Sequence, residues 1–158
     1  MKTIFSEKIP RIIKNKKRLE KLLNVKISIK TKDVILEGTA ENEYIAEKVI
    51  DALNFGFPFS VATLIKKEDY LFEIINIKNH TKRKDLSRIK ARIIGRKGKT
   101  LEILNRLTEC YFEIGENQIG IIGLPEDIQK AQQSIISLIR GAKQGNVYRR
   151  VKNIRKKI

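Results

Sequence analysis

The chain has 158 residues, 41% of them hydrophobic, which suits one ordinary domain or two small ones with a true core. It carries a net charge of +16 that is unevenly placed: residues 1–77 hold 14 basic and 11 acidic side chains, whereas residues 78–158 hold 20 and 7. A cationic second half predicts a surface for a polyanion. Nucleic acid fits better than a membrane, because no segment pairs this charge with an aromatic-rich amphipathic helix.

Several other classes are disfavoured. The one cysteine, Cys110, excludes a disulfide framework and a cysteine-based zinc site, and the one histidine, His80, has no cluster of ligands around it. Charges at Glu7, Lys8 and Arg11 interrupt any N-terminal leader, and no apolar run approaches the ~20 residues of a membrane span. We therefore expect a soluble cytoplasmic protein, nucleolar and cytoplasmic in a eukaryote, with no cofactor, no metal site and no catalytic residue.

The first elements of the chain predict a small α+β domain. A candidate strand around Thr3–Ser6 precedes a basic helical stretch. Alternating apolar residues then predict strands at Lys26–Lys30 and Val34–Glu37, joined by a polar turn. A helix with one apolar stripe comes next and reaches Leu53.

The second half of the chain repeats the first. Residues 19–53 superpose without a gap on the residues 85 positions later, which indicates two copies of one domain. The aligned pairs share apolar character or a strand-ending glycine: Leu19 and Leu104, Val25 and Cys110, Ile27 and Phe112, Gly38 and Gly123, Ala46 and Ala131. The second copy therefore has predicted strands at Tyr111–Ile114 and Ile119–Ile122, and a helix that begins at Pro125. A candidate strand around Tyr70–Ile77 precedes this copy, as one around Thr3–Ser6 precedes the first.

A glycine-bounded turn lies between two predicted helices of the second copy. It reads Gly95-Arg96-Lys97-Gly98 and is followed by Lys99 and an amphipathic stretch. Glycine at both ends lets another backbone approach, and the second helix presents free N–H groups and the positive end of its dipole. The pattern resembles the GXXG loop of the KH domain, which clamps about four nucleotides of a single strand.

The first copy lacks this turn. Arg11-Ile12-Ile13 matches Arg92-Ile93-Ile94 at a spacing of 81 rather than 85, so four residues are missing at the position of the turn. Lys14–Arg18 stand there without a glycine, and we interpret them as a solvated helix face. The first copy is thus predicted to keep the fold without the clamp.

Two segments lie outside the copies. Residues 56–69 are predicted as a linker with a short helix, and the phenylalanines at its start, Phe55, Phe57 and Phe59, are expected to pack the copies together. From Arg140 to the end there are eight basic residues and no acid. We predict a basic C-terminal tail over residues 143–158, within which a tyrosine beside arginines suits stacking on a base with phosphate contacts next to it.

The predicted RNA site combines the turn, its neighbours and the tail. Ile94, or Ile93, would supply one wall of an apolar groove, with Phe112 or Ile114 on the facing strand. The predicted RNA-binding residues are Arg92, Ile94, Gly95, Arg96, Lys97, Gly98, Lys99, Tyr148, Arg149 and Arg150.

The whole chain resembles the compact archaeal form of a ribosome-assembly family, the partner of Nob-one (also Dim-two). Three features carry the resemblance: a first copy without its glycines, the intact stretch 92–100, and the exit Gly141-Ala142-x-x-Gly145-x-Val147-Tyr148-Arg149. The resemblance implies binding of (pre-)rRNA near the 3′ end of the small-subunit rRNA, together with the endonuclease that makes the final cut. It also implies a link to the alpha subunit of translation initiation factor two.

The prediction is therefore two tandem type I KH domains of order β-α-α-β-β-α, each a three-stranded antiparallel sheet packed on three helices. The expected boundaries are 1–55 for the degenerate copy, 56–69 for the linker, 70–142 for the copy with the GXXG loop and 143–158 for the tail. The predicted function is RNA binding that assists 3′-end maturation in small-subunit assembly. Alternatives are a general single-stranded RNA adaptor in translation or RNA decay, and a protein-docking scaffold.

Overall fold

The computed structural model describes residues 1–156, with side chains through residue 154, and the chain divides into two compact units. The first unit is Met1–Tyr70 and the second begins at Leu71. Each unit contains one three-stranded antiparallel sheet together with helices. The predicted α+β class, with two copies of one fold, is confirmed.

The sheet of the first unit has its last strand in the middle. Its strands are β1 (Lys2–Phe5), β2 (Lys26–Lys30) and β3 (Asp33–Glu37), in the order β1-β3-β2. Ile35 of β3 pairs with Thr3 on one side and with Ser28 on the other. Val34 and Leu36 of β3 are fully buried, because alternate residues of a strand face the same side of a sheet.

The helices of the first unit are α1 (Ile9–Leu23), α2 (Ala40–Phe55), α3 (Phe59–Ala62) and α4 (Leu64–Lys67). Where two helices were expected before β2, α1 is one continuous helix, because the segment 14–18 has neither glycine nor proline to interrupt it. Lys14, Lys17 and Arg18 are exposed on this helix, as predicted. Thr39 caps α2, its Oγ1 accepting a hydrogen bond from the Asn42 backbone N–H at 3.2 Å.

The second unit has a sheet of the same topology, together with helices of its own. Its strands are β4 (Leu71–Asn76), β5 (Tyr111–Ile114) and β6 (Gln118–Gly123), in the order β4-β6-β5. Its helices are α5 (Leu86–Ile94), α6 (Lys99–Thr108), α7 (Pro125–Ile139) and α8 (Gln144–Lys156). In this unit two helices, α5 and α6, precede β5, so the full predicted order is present.

Close packing at one glycine recurs in both units. A Cβ at Gly38 would lie 3.0 Å from Val25 Cγ1, and a Cβ at Gly123 would lie 2.5 Å from Cys110 Sγ. The repeat aligned Gly38 with Gly123 and Val25 with Cys110, so the two contacts are equivalent. The glycine at the C-terminal end of the central strand therefore makes room for the residue that precedes β2 or β5.

Both segments outside the predicted copies fold onto a unit. Phe57 is buried within the first unit and stacks on Phe55, with 6.0 Å between ring centroids, while the Arg18 guanidinium lies 4.3 Å above the Phe59 ring. The predicted tail differs more, because residues 144–156 form helix α8. Val147, four residues before the equally buried Val151, gives α8 an apolar side that packs on the core.

Candidate nucleic-acid interface

The turn between α5 and α6 has an unusual backbone. Gly95 has φ 80° and ψ 172°, Lys97 has φ 56° and Gly98 has φ 75°. The Gly98 N–H donates to the Gly95 carbonyl at 3.2 Å and closes the turn. Left-handed backbone is uncommon for a residue such as Lys97, and it directs the main chain so that α6 can begin at Lys99.

The two glycines of the turn have different surroundings. A Cβ at Gly95 would overlap Thr100, whose backbone nitrogen would be only 2.7 Å away. A Cβ at Gly98 would meet no atom within 4 Å. Gly95 is therefore required for packing inside the protein, whereas the space beside Gly98 is open to a ligand.

The charges of the turn all have one sign. Arg96, Lys97 and Lys99 are exposed, and in the described part of the chain none of them forms an ion pair. The N-cap residue of α6 is Gly98, which offers no side chain to the free N–H groups of the first turn. The nearest acid in α6, Glu102, is exposed and lies 3.9 Å from Arg106. The helix dipole, the free N–H groups and three cations therefore act together to favour an anion.

Three half-buried apolar side chains are the candidates for the predicted groove wall. Ile93 is fully buried in the core, whereas Ile94 is half-buried, so Ile94 is the isoleucine available to a groove. Phe112 and Ile114 lie two residues apart on β5, half-buried and packed against the core. Because β5 is an edge strand that pairs only with β6, its outer edge is not covered by another strand of the sheet.

Arg92 is occupied by the protein itself. Its Nη1 donates to the Leu138 carbonyl in the last turn of α7 at 3.3 Å, and its Nη2 donates to the Ala142 carbonyl just beyond α7 at 2.7 Å. The Gln144 side chain donates back to the Arg92 carbonyl at 3.4 Å. The sequence prediction placed Arg92 among the RNA contacts. In the structure its guanidinium instead bonds to carbonyls that lie 46 and 50 residues away in the chain.

The predicted contact residues of α8 do not share one face. Tyr148 packs partly against the core, Arg149 is exposed and donates to Asn146 Oδ1 at 2.8 Å, and Arg150 Nη1 lies 3.5 Å from Ser137 Oγ on α7. At about 100° per residue Tyr148 and Arg150 lie about 160° apart around the helix. Arg150 therefore faces α7, and Tyr148 lies on the other flank of α8.

A cavity of about 400 Å³ lies between α7 and α8, and no pattern in the sequence indicated it. Its lining includes Arg140 and Arg150 together with Ser134 and Ile154. A third basic residue of the lining is Lys130, whose Nζ lies 3.0 Å from Asp127 Oδ1 on the same helix. Two cations without an acid partner among the described residues therefore line this cavity.

Elsewhere, the side chains that could react or bind a metal ion are buried or scattered. Cys110 is fully buried, and burial raises its pKa to about 12, so the thiol is protonated at neutral pH. Across residues 1–154, no group of three or more His, Cys, Asp or Glu could hold a metal ion. None of the described helices has the length and apolar character that a membrane span requires.

Comparison with known proteins points to one family. Residues 71–156, more than half of the chain, match the model of the second PNO1 KH domain, described as a eukaryotic-type KH domain of type I. A KH domain-containing protein of Methanocaldococcus jannaschii is 28% identical over 90% of this chain. The pre-rRNA-processing protein PNO1 of Chaetomium thermophilum is 30% identical over 84% of this chain. The chain spans 66% of the archaeal relative and 54% of the fungal one.

A solved structure agrees over nearly the whole chain. It is the complex of a/eIF2alpha, aDim2p and rRNA from Pyrococcus horikoshii, with a TM-score of 0.88 and 28% identity. The match covers 99% of this chain and 94% of that one. The similarity therefore extends over both units. The similar structure is that of a complex with rRNA and a protein partner.

Proposed function

Since the chain belongs to the PNO1 (partner of Nob-one, or Dim2) family of KH-domain proteins, we propose that it binds single-stranded ribosomal RNA during assembly of the small ribosomal subunit. The observation that carries the proposal is the uncapped first turn of α6, which lies beside three exposed cations and a glycine with open space around it. A phosphate backbone satisfies the free N–H groups and the charges at once.

The proposed contacts fall into two groups. Gly95–Lys99 hold phosphates, while Ile94 and the half-buried side chains of β5 form the apolar wall for the bases. Arg149 and Arg150 extend the cationic surface along α8, and Tyr148 offers a ring that is not fully buried. Base stacking on such a ring contributes about 1–3 kcal/mol per base.

The first unit has no equivalent site. Helix α1 runs through the position of the turn, so no helix begins there with free N–H groups and no glycine admits a backbone. We assign RNA binding to the second unit. The first unit exposes Phe5 and Ile13, at 60% and 55%, and these apolar side chains favour a protein-docking role beside RNA binding.

The finer proposal concerns which RNA and which partners. The relatives named above include pre-rRNA-processing proteins and a complex that contains rRNA and a/eIF2alpha. We propose that this chain binds near the 3′ end of the small-subunit rRNA and assists its maturation. The proposed partners are the endonuclease that processes this end and the alpha subunit of initiation factor two. In this role the chain positions RNA and cleaves nothing.

Crosslinking to total RNA tests the proposal. The protein is irradiated with RNA from its source organism, and the crosslinked sites are mapped on both molecules. We expect peptides that contain residues 94–99 joined to the last nucleotides of the small-subunit rRNA. Crosslinks spread over unrelated RNAs would favour the general adaptor, and crosslinks confined to the first unit would contradict the proposal.

A further inference from the structure

Each unit has an arginine, Arg11 or Arg92, that makes an equivalent pair of hydrogen bonds. In the first unit Arg11 Nη1 donates to the Leu53 carbonyl at 3.3 Å and Arg11 Nη2 to the Phe57 carbonyl at 2.8 Å. In the second, Arg92 makes the equivalent bonds to Leu138 and Ala142 at 3.3 and 2.7 Å. Each acceptor in the second unit lies 85 residues after its counterpart, which is the offset of the repeat.

The acceptors belong to the same kind of helix end. Gly56 and Gly141 both have positive φ, 130° and 101°, and each N–H turns back to the leucine carbonyl. The leucine carbonyl lies in the last turn of α2 or α7, and the second acceptor, the carbonyl of Phe57 or Ala142, lies just beyond the end of that helix. The planar guanidinium donates to both carbonyls at once, which the single ammonium of a lysine does with less defined geometry.

The chain beyond this helix end differs between the units. After Ala142 it enters α8, and Gln144 at the start of α8 bonds back to the Arg92 carbonyl. Helix α8 packs on α6 and α7, and α6 begins at the glycine turn. Arg92 lies three residues before Gly95 in α5. Its side chain bonds to the last turn of α7 and to Ala142 in the connection to α8, and its carbonyl accepts from Gln144 at the start of α8.

We infer that Arg92 is a positioning residue of the RNA site: it fixes α8 against α5, and so holds Tyr148, Arg149 and Arg150 in one rigid arrangement with the glycine turn, without contacting RNA itself. This inference rests on the proposed function for its RNA readout. The fixing of α8 is a property of the free protein and is measured separately.

The test compares Arg92→Lys and Arg92→Met in the full-length chain, with Arg11→Met as the matched control. Amide hydrogen exchange of Val147 and Val151 in the absence of RNA reports on α8. Both Arg92 variants should raise this exchange at least about tenfold and weaken the binding of single-stranded RNA to a similar degree, because lysine keeps the charge but loses the two-carbonyl geometry. Arg11→Met should raise exchange near the end of α2 and leave RNA affinity within about twofold.

Two results would overturn the inference. If Arg92→Lys binds RNA like the unchanged protein while Arg92→Met does not, and α8 exchange is unchanged in both, Arg92 contacts a phosphate directly. If α8 exchange rises but RNA affinity is unchanged, the arginine does not serve the site. Should the Arg92 variants fail to fold, Gln144→Ala removes only the reciprocal bond. Unchanged α8 exchange in that variant would also overturn the inference.

The proposed function fails in a distinguishable way. If replacing Arg96 and Lys97 by aspartate leaves RNA binding intact, the turn is not the RNA site. The effect of Arg92→Met on α8 exchange would still be observed in that case. The two claims therefore do not fail together.

Discussion

Gly95 and Thr100 lie so close together that a single methyl group added to Gly95 would overlap the threonine side chain. Thr100 is buried, in the first turn of α6, and cannot move outward without disturbing that helix. The contact sets the angle at which α6 leaves the turn. Gly98, three residues on, has a similar φ but open space beside it.

The two glycines should therefore respond differently to alanine. Gly98→Ala should cost about 1–2 kcal/mol of folding free energy, the strain of a left-handed alanine. Gly95→Ala adds the overlap with Thr100 and should cost distinctly more. Denaturant unfolding of the second unit measures both, and equal losses would show that the Thr100 contact is not a constraint.

RNA binding should depend on the open space beside Gly98. Gly98→Asp places a carboxylate in the open space beside the first turn of α6, where its negative charge repels a phosphate. We expect it to lose RNA binding while the second unit stays folded. Gel-shift titration against circular dichroism separates the two effects, and full RNA affinity in Gly98→Asp would argue against a ligand in that space.

Cys110 provides a probe for the second unit alone, because it is the one cysteine in the chain. Its burial predicts slow labelling by thiol reagents in the folded protein and fast labelling once the second unit opens. Replacing Lys14 and Lys17, on the exposed side of α1 in the first unit, should leave the labelling rate unchanged. Fast labelling of the unmodified protein would show that the thiol is accessible.

The thiol also predicts a pH dependence with a defined sign. Burial raises the pKa of Cys110 from 9.0 to about 12, so between these values the folded state keeps a proton that the unfolded state loses. The free energy of unfolding should therefore fall as pH rises above 9. Cys110→Val, which copies the aligned Val25 of the first unit, removes this contribution. The difference between the two proteins should be flat below pH 9, and a difference that grows in the opposite direction would contradict the assignment.

The close contact between Gly123, at the end of the central strand β6, and Cys110 should couple substitutions at these two residues. Gly123→Ala should destabilise the second unit by about 1–3 kcal/mol, because its methyl group meets Cys110 Sγ. Adding Cys110→Ala removes that sulfur and should recover part of the loss. A double-mutant cycle of unfolding free energies measures the coupling, and strict additivity would mean that the two residues do not press on one another.

The sequence predicted the fold well because the signal was repeated. Apolar alternation, repeated at an offset of 85 residues, placed the second and third strands of both units close to their observed ends. The missing turn of the first copy was also evident from the alignment.

Helix α8 was missed because glycines and eight basic residues obscured a short apolar pattern. Val147, Tyr148 and Val151 are spaced as one side of a helix, and this spacing was the signal that could have revealed it. The environment of Arg92 was harder to predict, since it depends on carbonyls 46 and 50 residues away. The match between Arg11 and Arg92 in the two copies, one of which has no turn, hinted that this arginine serves the fold.

The salt dependence of RNA binding provides a quantitative check of the clamp. If about four phosphates are held, a plot of the logarithm of the binding constant for a single strand against the logarithm of salt concentration should have a slope of about −3. Titrations between low and physiological salt measure it. A flat response would mean that the contacts are not ionic.

The most direct measurement is RNA affinity in two double variants of equal charge change. One variant combines Arg96→Asp with Lys97→Asp and alters the turn. The other combines Lys14→Asp with Lys17→Asp on the exposed side of α1, at the position where the first unit lacks the glycine turn. We predict that the first pair lowers affinity for a 3′-terminal small-subunit rRNA fragment at least about 100-fold with the fold intact, since contacts to charged groups contribute about 1.5–3 kcal/mol each. The second pair should change affinity far less. Equal losses in the two variants would show that overall charge, and not the turn of the second unit, binds the RNA.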